Sequence, residues 1–315
     1  MSAKKLAGIA YEERGSGFPF IALHGYTLDR RMSLGAFEPL FDAEGRARLP
    51  PAAGSQKPRG GPSDRLYRRI YPDLPFMGES ADLGPGAGSD DMLDALCAFI
   101  DEVLPAGPFL LAGESYGGYI ARGIALRMPE RVEGAFFLCP LVVARRERRD
   151  LPPPAMLSEE PGWAAFAAGA DPAELAEYED CAVSRSSHAF GRVRGEILPG
   201  IRASRAGALA ELHERGYAYS FDGLGAAAVP AAGAAPTGAP FDRLFEAPAC
   251  FFLGRQDRSV GWRDALRLSD RYPRASYIVA DAAGHNAQIE QAGLFAAAFG
   301  AWIADCEAWA GRDGP

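Results

Sequence analysis

The chain is poor in histidine, with four in 315 residues, and its five cysteines are scattered. Cys97, Cys139, Cys181, Cys250 and Cys306 form no C-x-x-C pair, so neither a zinc cluster nor a disulfide framework is expected. Most lie in apolar runs and read as buried thiols of a reducing compartment. Basic charge is also short. Lys and Arg number 33 against 41 Asp and Glu, giving a net charge of −8. Such a surface repels a phosphate backbone, so no nucleic-acid partner is expected. The densest basic run, Arg145, Arg146, Arg148 and Arg149, is diluted by Glu147 and Asp150 and reads as solvated surface. No apolar run approaches the ~20 residues of a membrane span. The apolar stretch after Lys4-Lys5 is too short for a signal peptide. A cytoplasmic location with no membrane partner is therefore expected.

What is present is an alternation. Residues 8–14 and 18–23 read as strands around a Gly15-Ser16-Gly17 turn, and the second ends abruptly at His24-Gly25. Residues 43–66, rich in Arg, Pro, Gly and Ala, read as a mobile surface loop, followed by a short strand from Arg69. Met92, Leu93, Leu96, Phe99, Ile100 and Val103 have helical spacing, with Ser89 as the expected cap. Strands are expected at 109–113 and 133–139, with a helix at 116–128 between them, stopped by Pro129. Strand–helix alternation of this kind implies an α/β fold with a mostly parallel, doubly wound sheet covered on both faces. Residues 141–245 change character, with helical patches such as 163–168 and 173–183 and a flexible Ala/Gly/Pro connection at 223–240. Strand character returns at 249–254 and 275–279, and an amphipathic helix closes the chain at 294–309. The expected organisation is a core of residues 1–140 and 246–315, interrupted by a mainly helical insertion at 141–245.

Gly113-Glu114-Ser115-Tyr116-Gly117 is a G-x-S-x-G motif placed where a strand meets a helix. A sharp turn there lifts Ser115 clear of the backbone, and the flanking glycines relieve the crowding. The helix start points N–H groups at developing negative charge. A serine needs a base, and His285 follows a strand on a loop that can reach the same sheet edge. His188 and His213 fall in the insertion and read as surface or packing residues. The base needs an acid to fix its tautomer. Asp257 follows the strand at 249–254, whereas Asp281 reads as the end of its own strand.

The order Ser115, Asp257, His285 resembles the α/β-hydrolase family. Further segments carry the likeness: Phe20-Ile21-Ala22-Leu23-His24-Gly25, the 71–80 segment resembling D-x-P-G-x-G-x-S, Met128-Pro129-Glu130-Arg131-Val132, and Gly284-His285. Phe76 departs from the pattern, standing where the family usually has glycine. The resemblance implies that 141–245 is the family's variable cap. It implies backbone N–H donors at Tyr26 and Tyr116 for an oxyanion, with His24, Gly25, Gly113 and Gly117 supporting the loop and elbow. It implies no metal or organic cofactor, and a small-molecule substrate.

Serine at the elbow argues against the epoxide hydrolase and haloalkane dehalogenase branches, which carry Asp there. An ester or thioester hydrolase is the first expectation. The alternative is a carbon–carbon bond hydrolase of ring-cleavage dienoates, which residues 254–260 and 284–288 resemble. Against it, Asn286 stands where those enzymes carry Trp, and His24-Gly25-Tyr26-Thr27 lacks their small Gly-rich loop. A ligand receptor of the same fold is a third reading. Trp163, Phe166, Tyr178 and Phe190, at helical spacing, read as the insertion's own core rather than a pocket wall.

Overall fold

The structure is a computed structural model that describes residues 3–50, 61–215, 217–219 and 243–310. Its strands are β1 (Lys4–Leu6), β2 (Ile9–Arg14), β3 (Phe18–Leu23), β4 (Arg46–Leu49), β5 (Gly61–Pro72), β6 (Phe109–Glu114) and β7 (Val132–Leu138). Two short strands, β8 (Ser158–Glu159) and β9 (Ser184–Arg185), precede β10 (Ala249–Gly254) and β11 (Ala275–Ala280). Among the described residues the main sheet runs β1-β2-β5-β3-β6-β7-β10-β11, with β4 paired to β5. From β5 through β11 the neighbours on this path are parallel, and the β1, β2 and β4 pairings are antiparallel. Every residue of β6 and β10 is buried. That is why both read as continuous apolar runs rather than alternating ones.

Helices α1 (Arg30–Phe37), α2 (Ser89–Val103) and α3 (Ser115–Arg127) occupy the first half of the core. The closing helix, α11 (Ala292–Ala310), buries Phe295, Phe299, Trp302, Ile303 and Cys306. Phe37 of α1 and Phe299 and Trp302 of α11 pack around Phe20 of β3 and Phe136 of β7. α2 and α3 pack together, with α3 lying against β6. The doubly wound expectation holds. No helix among the described residues is long and apolar enough to cross a membrane.

Three expectations need correction. Of residues 43–66, 51–60 lie outside the described residues, and the rest is not simply a loop. β4 and the start of β5 form an antiparallel pair there, and α11 packs on β4. A register shift between Arg46 and Arg48 breaks the alternation that would have revealed the pair. Ser89 is not the cap of α2. Gly88 is, and Asp91 accepts its N–H at 2.7 Å. Ser89 is instead buried, with Oγ 2.7 Å from the Tyr116 hydroxyl. The basic run is solvated only in part. Arg149 turns inward and donates to the carbonyls of Val143, Ala144 and Ser259 at 2.8–2.9 Å.

Between β7 and β10 lie α4 (Trp163–Ala167), α5 (Pro172–Cys181), α6 (Ser187–Glu196), α7 (Leu198–Ala203) and α8 (Ala206–Arg215), and α9 (Arg263–Leu266) lies between β10 and β11. Trp163, Phe166, Tyr178 and Phe190 pack on one another at 5.3–5.8 Å between ring centroids, forming the segment's own core. Arg192 ties α6 to the sheet domain by donating to the carbonyls of Gly35 and Gln288. The connection read at 223–240 lies outside the described residues.

Phe76 shows how the sequence departs from the family pattern without the backbone following. It takes φ = 65°, the left-handed region glycine favours, and is buried.

Candidate active site

The site forms at the C-terminal edge of the parallel strands, where open α/β sheets place their ligands. Ser115 sits between β6 and α3 with φ = 52°. A non-glycine residue there carries strain of about 1–3 kcal/mol, sustained by the surrounding packing. The packing is tight. A Cβ on Gly113 would strike the Gly117 carbonyl, and one on Gly117 would strike the carbonyls of His24 and Leu23. Both positions therefore require glycine on steric grounds. A Cβ on Gly25 would meet the Glu114 carboxylate and come within 3.2 Å of the Ser115 Cβ. The β3 loop and the elbow are thus in direct contact.

His285 and Asp257 are brought together as expected. Nδ1–H of His285 donates to Oδ2 of Asp257 at 2.8 Å. The other oxygen, Oδ1, accepts the backbone N–H groups of Ser259 and Val260 at 2.8 and 3.1 Å. Those bonds hold the carboxylate in one orientation and so fix the imidazole tautomer. Asp281 is excluded as the partner. Its side chain is 75% exposed and accepts from Gln256 Nε2.

The second nitrogen of His285 has a partner that sequence reasoning missed. Nε2 lies 3.2 Å from Oε1 of Glu114, a side chain only 2% exposed. Among the described residues Nε2 is not hydrogen-bonded to the Ser115 hydroxyl. Burial alone would depress the His285 pKa, but Asp257 and then Glu114 outweigh it and raise it to about 9. Burial pushes Glu114 up to about 7, with His285 and the nearby Gly25 peptide pulling the other way. The signal for Glu114 was its place inside the motif, as an acidic residue on a strand buried throughout. Glu290 was missed as well. It lies in α10 (Ala287–Glu290) and accepts the N–H of Gly284 at 2.6 Å and of Val183 at 2.8 Å. Burial raises its pKa to about 7 against those two bonds.

His24 is wholly buried and both its nitrogens are engaged. Nδ1–H donates to the Gly25 carbonyl at 2.8 Å, and Nε2 accepts the Leu74 N–H at 2.9 Å. Burial lowers its pKa, so it shapes the loop as a neutral ring. His188 is exposed, and His213 contacts the Tyr217 hydroxyl. Tyr116 is the second residue of α3, where a backbone N–H has no intrahelical partner. The Tyr26 ring packs against Tyr116 at 5.5 Å and Tyr217 at 5.0 Å, and its hydroxyl donates to the Leu209 carbonyl of α8. The residues expected to supply both backbone donors are therefore roofed by the inserted segment.

Cys139, Asp257 and His285 place three donor atoms within 4.8 Å of one another. Burial pushes the Cys139 thiol well above its ordinary pKa, which leaves it neutral.

A mostly parallel sheet with a serine elbow and an Asp-paired histidine at its C-terminal edge defines a hydrolase of α/β architecture. Residues 61–292 match the α/β hydrolase fold family, and the chain belongs to it. Among solved structures it resembles an α/β superfamily hydrolase from Oenococcus oeni PSU-1, with 25% identity, TM-score 0.79, and coverage of 98% of this chain and 100% of the other. A thermophilic esterase from Thermogutta terrifontis is similar at 20% identity and TM-score 0.60, covering 95% and 93%. A meta-cleavage product hydrolase from Pseudomonas fluorescens IP01 is similar at 18% identity and TM-score 0.60, covering 97% and 98%. None of the curated proteins matches the sequence significantly.

Proposed function

We propose that the chain is a serine hydrolase cleaving a small carboxylic ester or thioester through an acyl-enzyme. The observation that carries this reading is the His285–Asp257 hydrogen bond at 2.8 Å, formed beside an elbow that holds Ser115 at φ = 52°. Ser115 Oγ attacks the substrate carbonyl as His285 Nε2 takes its proton. Asp257 stabilises the imidazolium that results. The backbone N–H groups of Tyr26 and Tyr116 receive the oxyanion, each contributing ~3–4 kcal/mol to the transition state. His285 then protonates the leaving group. Water, activated by the same base, releases the acid and frees Ser115. For this chemistry Nε2 must move from Glu114 to Ser115. The esterase likeness supports the ester reading only at the level of the fold. Against the dienoate reading, Asn286 stands where those enzymes usually carry Trp.

The test is intact mass after treatment with a fluorophosphonate, on wild type and on Ser115→Ala. One adduct on wild type and none on the variant is expected. A folded wild type that stays unlabelled at every pH would overturn the reading and favour a receptor of this fold. Ester and dienoate substrates then sort the bond cleaved.

A further inference from the structure

The imidazole of His285 stands between two carboxylates rather than one. Asp257 takes Nδ1–H at 2.8 Å, and Glu114 Oε1 lies 3.2 Å from Nε2. Glu114 sits at the end of β6, and its Oε2 makes no hydrogen bond among the described residues. The basic side chain paired with it among the described residues is His285, and the Gly25 peptide also acts on the carboxylate. A neutral imidazole with its proton on Nδ1 would turn a lone pair toward Glu114 Oε1. Two acceptors at that distance repel unless a proton lies between them.

We infer that Glu114 is a positioning residue that holds His285 doubly protonated and turned away from Ser115, so that the base is released only when the Nε2 proton leaves. The inference rests on the serine-hydrolase reading of the site. In the resting pair Nδ1–H points to Asp257 and Nε2–H to Glu114. Loss of one proton from Nε2 to solvent leaves a lone pair. The ring can then accept the Ser115 proton. Protonation of Glu114 instead leaves the imidazolium intact and produces no base. The pKa directions agree, since Asp257 and Glu114 raise His285 against its burial and His285 draws Glu114 down against its own.

Other ionisable groups surround the pair. Asp257 faces both groups and raises both. Arg149, from the segment after β7, lowers His285, and its hydrogen bonds are to carbonyls. Glu290 of α10 feels His285 but is committed to the N–H groups of Gly284 and Val183. Cys139 lies near Asp257 and Glu114 as a neutral thiol. Among the described carboxylates, Glu114 is the one paired with Nε2, at 3.2 Å.

The experiment is the rate of fluorophosphonate labelling against pH, for wild type, Glu114→Gln and Ser115→Ala. Wild type should label with an acid limb near the imidazolium pKa. In Glu114→Gln that limb should move down by about one pH unit, raising the free-base fraction at neutral pH about tenfold. A merely structural role would change stability without moving the limb. A limb in the same place for both proteins overturns the inference and leaves the serine-hydrolase reading standing. Absence of labelling in wild type overturns that reading, and the inference with it. If Glu114→Gln does not fold, an NMR titration of wild-type His285, assigned against His285→Asn, decides instead. A midpoint above about 7 is expected, and one below it overturns the inference, because the resting ring would then be neutral.

Discussion

His24 and His285 sit on loops that flank the same serine, yet the molecule uses them in opposite ways. His24 gives both nitrogens to backbone groups, the Gly25 carbonyl and the Leu74 N–H. His285 faces a carboxylate with each nitrogen. The first is a brace whose pKa burial lowers, and the second a ring whose pKa the two carboxylates raise to about 9. The residue type decides nothing here. The partners decide whether a ring is structural or available for chemistry.

The contrast can be broken in several ways, taken from the largest effect to the smallest. Under the proposed mechanism, His285→Ala lowers kcat by ~10⁵–10⁶-fold. Asp257→Asn lowers it by ~10⁴-fold, because the wrong tautomer then faces the serine. Asp281→Asn should leave ester turnover unchanged, so a larger loss there than at Asp257 would reassign the acid. His24→Leu should instead cost stability, about 2–4 kcal/mol, by leaving the buried Leu74 N–H and Gly25 carbonyl without partners. Urea denaturation reads this directly, and kcat of the folded fraction should fall less than about tenfold. A collapse of kcat at unchanged stability would make His24 a chemical group after all.

The smallest effect is a slope. A raised folded-state pKa means that His285 contributes stability below its unfolded value of 6.5, and loses it as pH rises through about 9. A lowered one means that His24 contributes above 6.5 and loses that stability as pH falls. Wild-type Tm should therefore decline from pH 6.5 to 9 more steeply than the Tm of His285→Asn. Parallel curves would show that the ring is not charged in the native state.

Much of the contrast was legible before the structure. The strand at 18–23 and the strand at 249–254 have the expected bounds, because buried parallel strands are unbroken apolar runs. Ser115, Asp257 and His285 could be named from motif and order, and His24 was already expected to shape its loop. What stayed hidden depended on neighbours remote in sequence. Glu114 looks like any variable residue of the motif until the 285 loop folds over it. Arg149 reads as part of a surface run until its guanidinium finds the Ser259 carbonyl. The β4–β5 pair hid behind a register shift, since period-2 patterning fails where a strand slips.

Glu290 carries a consequence for anyone who would rebuild this protein. One of its oxygens holds Val183 in the inserted segment, and the other holds Gly284, the residue before His285. The insertion is therefore not a module to be exchanged at will. A replacement must bring an N–H to the place of Val183, or a half-buried carboxylate loses one anchor and loosens its grip on the other. Grafts that respect this point should inherit a working loop, and grafts that ignore it should need compensating changes at position 290.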